Sequence, residues 1–382
     1  MAKSNLSTLC VHAGGLKDNE HSGSISPLYM ATSYAFEDVS ISQYPRYFNT
    51  PNQRGLSEKI AALEGAETGL VFGSGMAAIS TTLLSHLQPG DHVIFQNDLY
   101  GGTRNFVKKE LTKYHVDFSF TNGIAIDDFK AVKRPNTKGI YVETPSNPTL
   151  KLIDLKGLSS WAKKEGLWTM IDNTFASPIN QNPIAQGIDI VLHSATKYLG
   201  GHSDICAGAV VGSQASIEKI FEVAKNLGGS LSDASVWLLE RSIKTLHLRV
   251  GAQNVNAMAL ALFLEKQAWV TQVHYPGLTS HPQHFLAVSQ MKGFGGMLSF
   301  ELAPPFEVSK FLKALQLIKP SMSLAGVEST ALSPRFTSHA LLTEEERLVQ
   351  GITPQLIRFS CGIEAVEDLQ SDLENAINLC HQ

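Results

Sequence analysis

The chain predicts an α/β fold: a mostly parallel sheet with helices on both faces, and a smaller C-terminal α/β domain. Three observations carry this. Short apolar runs of strand length alternate with segments of helical periodicity. Residues of chemical interest recur at or just after the ends of those runs, where ligands of open α/β sheets gather. A long helical region then leads to a second, smaller set of strands and a final amphipathic helix.

Residues 1–55 are rich in Ser, Gly, Pro and aromatics and show little periodicity, so they read as an extended arm. Strands are expected over Leu70–Phe72, Val93–Gln96, Val116–Phe120, Ile140–Glu143, Trp168–Asp172, Ile188–His193 and Ala207–Gly212. Helices are expected between several of them, at Met76–Leu87, Thr103–Lys113 and Leu155–Lys164. A helical region from Ser235 to Lys266 bridges to strands near Gly296–Leu302 and Leu356–Cys361. The last helix, Ala365–Leu379, carries Val366, Leu369, Leu373 and Ile377 at helical spacing. The predicted division is an arm over 1–55, a large domain over 56–242 and a C-terminal domain over 243–382.

Composition narrows the function. With 382 residues, 43% of them hydrophobic, the chain can build substantial cores. A net charge of −4 gives no argument for a nucleic-acid or membrane-surface partner. The start, Met1 to Leu6, has no apolar signal core, and no uninterrupted apolar span reaches membrane length, so the cytoplasm is the expected compartment. Cys10, Cys206, Cys361 and Cys380 form no Cys-x-x-Cys pair and fit a reducing compartment. His193 and His202 are nine residues apart, which is not a compact metal motif; no metal is expected.

Chemistry concentrates in three segments. In Ile190-Val191-Leu192-His193-Ser194-Ala195-Thr196-Lys197 a strand pattern runs into two hydroxyls and a lysine. A lysine at the end of a buried strand can have a lowered pKa and act as a nucleophilic amine. Ser194 and Thr196, two apart, share one side of an extended segment and could hold a phosphate. Trp168-Thr169-Met170-Ile171-Asp172 ends a second strand in an acid that can pair with a protonated pyridine nitrogen. Gly73-Ser74-Gly75-Met76 joins a strand to a helix whose first N–H groups, at Gly75 and Met76, suit an anion. An aldehyde with a phosphate tail, pyridoxal 5'-phosphate (PLP), needs this combination. The third segment also fits a loose dinucleotide fingerprint with Asp91 or Asp98 downstream, the mark of an oxidoreductase, but that reading explains neither Lys197 nor Asp172.

Nearly the whole chain resembles the PLP-dependent transsulfuration family, the cystathionine synthases and lyases and methionine γ-lyase. The resemblance is carried by Tyr44-Pro45-Arg46-Tyr47-Phe48-Asn49, Ser74-Gly75-Met76-Ala77-Ala78, Asp98-Leu99-Tyr100-Gly101-Gly102-Thr103 and Glu143-Thr144-Pro145-Ser146-Asn147-Pro148. It continues in Ser194-Ala195-Thr196-Lys197-Tyr198, Ser323-Leu324-Ala325-Gly326 and Arg358-Phe359-Ser360-Cys361-Gly362. It implies the aminotransferase-like fold of type I. Lys197 would hold the PLP aldehyde and move protons on the substrate, Asp172 would pair with the ring nitrogen, and Tyr100 would stack on the ring. Gly75, Met76, Ser194 and Thr196 would hold the phosphate. Tyr44 and Arg46 would reach into a neighbouring subunit's site, so the assembly expected is a homotetramer, a dimer of dimers with shared sites. Arg358, helped by Ser323, would bind the substrate carboxylate. Asn147 would touch that carboxylate or the cofactor's phenolic oxygen, and Met322 would line the pocket. Glu328 is expected to be structural.

Departures from the family's patterns suggest which member this is. Enzymes that make cystathionine or cleave it on the γ side often carry acids before the arm tyrosine and before the serine of Ser-Leu-x-Gly; this chain has Gln43 and Met322. Methionine γ-lyases have a cysteine two residues after the stacking tyrosine; here it is Gly102. The insertions of O-acetylhomoserine sulfhydrylases are absent. The expected substrate is a small sulfur amino acid, and the leading reaction is β-elimination of cystathionine. Cystathionine γ-synthase or γ-lyase activity is the alternative.

Overall fold

Seven strands make the first sheet: β1 (Thr68–Phe72), β2 (His92–Phe95), β3 (Asp117–Phe120), β4 (Thr137–Glu143), β5 (Trp168–Asp172), β6 (Ile190–Ser194) and β7 (Gly208–Gly212). The computed structural model describes residues 4–340 and 342–380; of the start examined for a signal core, Met1, Ala2 and Lys3 lie outside them. The strand order is β1-β7-β6-β5-β4-β2-β3. β3, β2, β4, β5 and β6 pair in parallel, and β7 runs antiparallel to both β6 and β1. β1 therefore points the same way as the five parallel strands. The C-terminal ends of β1, β4, β5 and β6 meet along one edge of the sheet, where the candidate residues lie.

Away from its edge strand β3 the sheet is buried on both faces, which is why its central strands read as continuous apolar runs rather than alternating ones. Ile94, Val142, Ile171 and Val191 enter one core; Phe95, Tyr141, Met170 and Leu192 enter the other. Helices form where local signals favour them. Pro51–Glu64 begins with a capping box, Thr50 Oγ1 accepting the Gln53 N–H at 3.2 Å and Gln53 Oε1 accepting the Thr50 N–H at 3.1 Å. Leu155–Lys164 starts at Asp154, whose carboxylate accepts the Gly157 N–H at 2.9 Å.

The second sheet is antiparallel, with order β10-β11-β9-β8: β8 (Val270–His274), β9 (Met297–Leu302), β10 (Thr330–Leu332) and β11 (Leu356–Ser360). Its core combines Leu298, Phe300 and Phe359 with Phe311 of the helix Val308–Ala314 and Leu369, Leu373 and Ile377 of Val366–Cys380.

Several details differ from the sequence reading. The bridge is two helices, Asp233–Ile243 and Leu246–Leu264, broken at Lys244 and Thr245. The helix expected over Thr103–Lys113 is Gly101–Lys109 followed by a 3₁₀ turn, Leu111–Tyr114. The N-terminal stretch is not extended throughout. Leu6–His12 is a helix whose Cys10 is fully buried, held down by Lys59 Nζ, which donates to the Cys10 carbonyl at 3.0 Å. Two strands, β8 and β10, were not expected. No helix among the described residues is long and apolar enough to cross a membrane.

Candidate active site

The turn after β1 meets the end of β6. Ser74 caps the helix Gly75–His86, its Oγ accepting the Ala77 N–H at 3.0 Å, so the N–H groups of Gly75 and Met76 belong to the open first turn. A Cβ on residue 75 would lie 2.9 Å from the Ser194 Cβ and 3.1 Å from its Oγ. Only glycine lets Ser194 approach this closely, and the result is a small cradle of N–H and hydroxyl groups at a positive helix end. Thr196 lies beside it but is engaged locally: its Oγ1 accepts the Ala207 N–H at 3.0 Å and donates to the Ala207 carbonyl at 3.2 Å.

Lys197 follows in a tight turn, its N–H donating to the Ser194 carbonyl at 3.1 Å. The side chain is half-buried, and its Nζ has no hydrogen bond or ion pair among the described residues. Burial, reinforced by the charge of Arg358, lowers its pKa below the ordinary lysine value. A larger share of neutral, nucleophilic amine at neutral pH follows directly.

Asp172 ends β5 and is buried, with Oδ1 accepting the Thr174 N–H at 3.0 Å. Burial raises its carboxyl above the usual range, while Thr174 and the nearby His193 pull it back. His193 itself is held by Glu64, Nε2 to Oε1 at 2.6 Å, and His202 bonds the Gly200 carbonyl, so neither histidine faces the other.

Arg358, on β11, is 3% exposed and brings the second sheet to the site. Its Nη1 donates to Asn147 Oδ1 at 3.2 Å and its Nη2 to the Met322 carbonyl at 3.3 Å. Burial lowers its pKa to about 10, with Tyr100 and Glu143 pulling the other way, so it stays a cation. Met322 contributes its carbonyl, and its side chain is largely exposed. Ser323 does not bond Arg358; its carbonyl accepts from Thr330 Oγ1 at 3.2 Å. Glu328 is exposed.

Tyr100 precedes the helix Gly101–Lys109, its ring lying against Gly102: a Cβ there would sit 2.5 Å from Tyr100 Cε1 and 3.2 Å from Met76 Sδ. Any side chain at 102, cysteine included, would displace the ring. Tyr44 and Arg46 are not gathered with these groups. The Arg46 guanidinium lies over the Tyr44 and Tyr47 rings, at 5.7 and 5.2 Å, and Nη1 donates to the Lys225 carbonyl at 2.6 Å.

Two residues escaped the sequence reading. Glu143 is buried at the end of β4 and its Oε2 accepts the Tyr100 N–H at 2.9 Å. His339 is 1% exposed, and burial lowers its pKa to about 4, with Arg358 adding to the effect. A charged residue closing an otherwise apolar strand was the available signal for Glu143; His339 sits in a polar loop and gave none.

One edge of the sheet thus offers an anion cradle, an amine of lowered pKa, a buried carboxyl and a buried guanidinium. That set suits a ligand with a phosphate at one end, an aldehyde and a basic ring nitrogen, together with a substrate bearing a carboxylate.

Comparison with known proteins agrees. The chain is 42% identical over 377 residues to a cystathionine β-lyase of Lactococcus lactis subsp. cremoris, covering 98% of this chain and 99% of that one. It is equally identical, over 374 residues, to a cystathionine γ-lyase of Bacillus subtilis, covering 97% and 98%. The crystal structure of a cystathionine γ-lyase from Lactobacillus plantarum complexed with L-serine superposes with a TM-score of 0.95 at 37% identity, covering 99% of this chain and all of that one. Residues 7–378 match the family described as Cys/Met metabolism PLP-dependent enzymes, and the chain belongs to that family.

Proposed function

We propose that this PLP-dependent enzyme is a carbon–sulfur lyase that cleaves cystathionine by β-elimination, releasing homocysteine, pyruvate and ammonia. When bound, PLP supplies an electron sink that acidifies the substrate Cα–H. Gly75, Met76, Ser194 and Thr196 would hold its phosphate, the Thr196 hydroxyl giving up the Ala207 carbonyl to donate. Asp172 would hold the ring nitrogen and Tyr100 would cover the ring. Arg358 grips the carboxylate of the substrate half being cleaved, backed by Asn147, and orients Cα towards Lys197. Lys197 Nζ takes the Cα proton. The Cβ–S bond would break and the leaving sulfur would take that proton from Lys197 Nζ, releasing homocysteine; one water added to the remaining three-carbon unit would give pyruvate and ammonia.

The observation that carries the β reading is the apolar residue beside Arg358. Met322 shares that arginine through its carbonyl, and neither it nor Gln43 can offer a carboxylate to the distal ammonium of cystathionine. The relatives named γ-lyase favour a second reading, γ-cleavage or γ-synthesis, at equal identity. Product analysis separates them: with cystathionine, pyruvate should exceed 2-oxobutyrate. Mostly 2-oxobutyrate, or faster condensation of O-succinylhomoserine with cysteine, would sink the β assignment. Met322→Glu should raise 2-oxobutyrate relative to pyruvate by roughly two- to fivefold, the modest yield of an exposed charge pair. An unchanged ratio would place Met322 away from the distal ammonium.

The assembly we infer is a homotetramer with shared sites. Ile25, Met30, Phe36, Ile41 and Tyr44 are exposed along the N-terminal stretch, an apolar surface suited to covering a second copy. Leu248, Val255 and Leu262 are exposed at seven-residue spacing on Leu246–Leu264 and suit a second interface. Arg46, exposed and clear of its own cradle, is the residue that would cross. Mixed dimers of Arg46→Ala and Lys197→Ala chains should then regain up to half of the wild-type sites. Verified hybrids without recovery would put Arg46 outside the partner's site.

A further inference from the structure

Glu143 and Asp172 are register partners on adjacent parallel strands, so their side chains leave the same face of the sheet. Adjacent strands are about 4.8 Å apart, and both residues are buried, at 5% and 7% exposure. Two neighbouring acids each have a basic side chain as partner. Asp98 pairs with Lys151 at 2.7 Å, and Glu64 with His193 at 2.6 Å. Glu143 has no cation at ion-pair distance among the described residues; its hydrogen-bonded neighbour is the Tyr100 N–H. Its own N–H is fixed by Gln96 Oε1 at 2.7 Å, and Gln96 Nε2 donates to the Asp98 carbonyl at 2.8 Å. Glu143 thus fastens the segment Asp98–Tyr100 to the end of β4.

We propose that Glu143 and Asp172 carry one negative charge between them, with the charge on Asp172 and the proton on Glu143, and that neutral Glu143 is a positioning residue for Tyr100. The proposal rests on the reading of Asp172 as the partner of the cofactor's ring nitrogen. Two adjacent buried carboxyls cannot both ionise cheaply, and the one beside a pyridinium keeps the charge. Burial and the Asp172 charge together hold Glu143 well above the usual carboxylate range, against the opposing backbone N–H groups of Tyr100 and Asn147; Asp98 adds to the rise. Arg358 and the buried phenol of Tyr141 also face Glu143, and Arg358 is engaged with Asn147 and Met322. An ionised Glu143 would compete with the substrate carboxylate for that guanidinium. A neutral one accepts the Tyr100 N–H and leaves Arg358 for the substrate.

Infrared spectroscopy of the holoenzyme tests this directly. The wild type should show a buried protonated-carboxyl stretch that shifts in D₂O and persists from pH 6 to 9, and Glu143→Gln should remove it. Absence of that band, or loss of carboxylate stretches in its place, overturns the proposal. Glutamine keeps an oxygen for the Tyr100 N–H and alanine does not, so turnover in Glu143→Ala should fall at least tenfold below that of Glu143→Gln. Equal losses overturn the positioning role. The ¹⁵N shift of the bound cofactor's ring nitrogen reports Asp172 separately. It should show a proton in the wild type and in Glu143→Gln, and an unprotonated wild-type ring nitrogen overturns the Asp172 reading whatever the infrared shows.

Discussion

Lys197→Ala is expected to lower elimination by about 10⁴-fold, the upper end of what a positioned acid–base group supplies, while the protein keeps its fold. The two halves of this expectation have separate causes. The Lys197 amine has its pKa lowered by burial and by Arg358, and its Nζ has no hydrogen-bond partner among the described residues. Neither carboxyl is placed to replace it: Asp172 is committed to the ring nitrogen in the proposed site, and Glu143 holds the Tyr100 N–H. Structurally, Lys197 contributes little beyond its backbone. The turn is held by the Lys197 N–H to Ser194 and by the Gly201 N–H to the Lys197 carbonyl at 2.7 Å, both of which survive truncation to alanine. Removing a half-buried amine without a partner sacrifices no hydrogen bond and relieves desolvation, so the thermal midpoint should stay within a few degrees. Borohydride reduction of the wild type followed by peptide mass spectrometry should find the pyridoxyl group on Lys197. Label on another lysine, or a variant that retains more than a few per cent of activity, would end the assignment.

What could be read in advance follows the range of the interactions involved. All seven strands of the large sheet were expected within a few residues of their places, because most of them are buried and read as short apolar runs, whichever way they point. The mostly parallel arrangement was expected as well; which strand departs from it was not. Gly208–Gly212 is as apolar as Ile190–Ser194, yet it runs antiparallel, and periodicity carries no sign. The break at Lys244 and Thr245 was hidden because the apolar spacing continues on both sides of it. β8 is an edge strand with polar, partly exposed residues, and β10 is three residues long, so neither leaves a pattern to detect.

The site divides the same way. Ser194, Thr196 and Lys197 are neighbours in sequence, and their proximity needed no fold. Gly75 against Ser194 required β1 and β6 to point the same way. Arg358 with Asn147 required the second sheet to dock on the first, and Arg358 with Met322 required β11 to fold beside the loop before β10. The pairing of Glu143 with Asp172 depends on the register between β4 and β5, which a shift of one residue would abolish. Ser323 shows the limit from the other direction: a motif position next to the right neighbour, whose hydroxyl makes no bond to Arg358.

The Asp172→Asn variant should bind the cofactor and turn over about 10²- to 10³-fold more slowly, the range for removal of one preorganised electrostatic partner. Asparagine keeps the geometry. Its Oδ1 can still accept the Thr174 N–H, now made at 3.0 Å, and its volume matches the buried space. What it loses is charge. A carboxylate stabilises a proton on the ring nitrogen, and a neutral amide does not, so the ring becomes a poorer sink for the electrons that Lys197 releases by taking the Cα proton. In the proposed site the cofactor's phosphate and aldehyde would be held elsewhere, at Gly75, Ser194 and Lys197, so its affinity should fall far less than its turnover. A single-turnover experiment locates the effect: proton removal from Cα should slow by the same factor as steady-state turnover, and binding of substrate at Arg358 should change little. Near wild-type turnover would mean that the acid facing the ring nitrogen is another one, and Glu143, register partner of Asp172 on the same face, would be the first to examine.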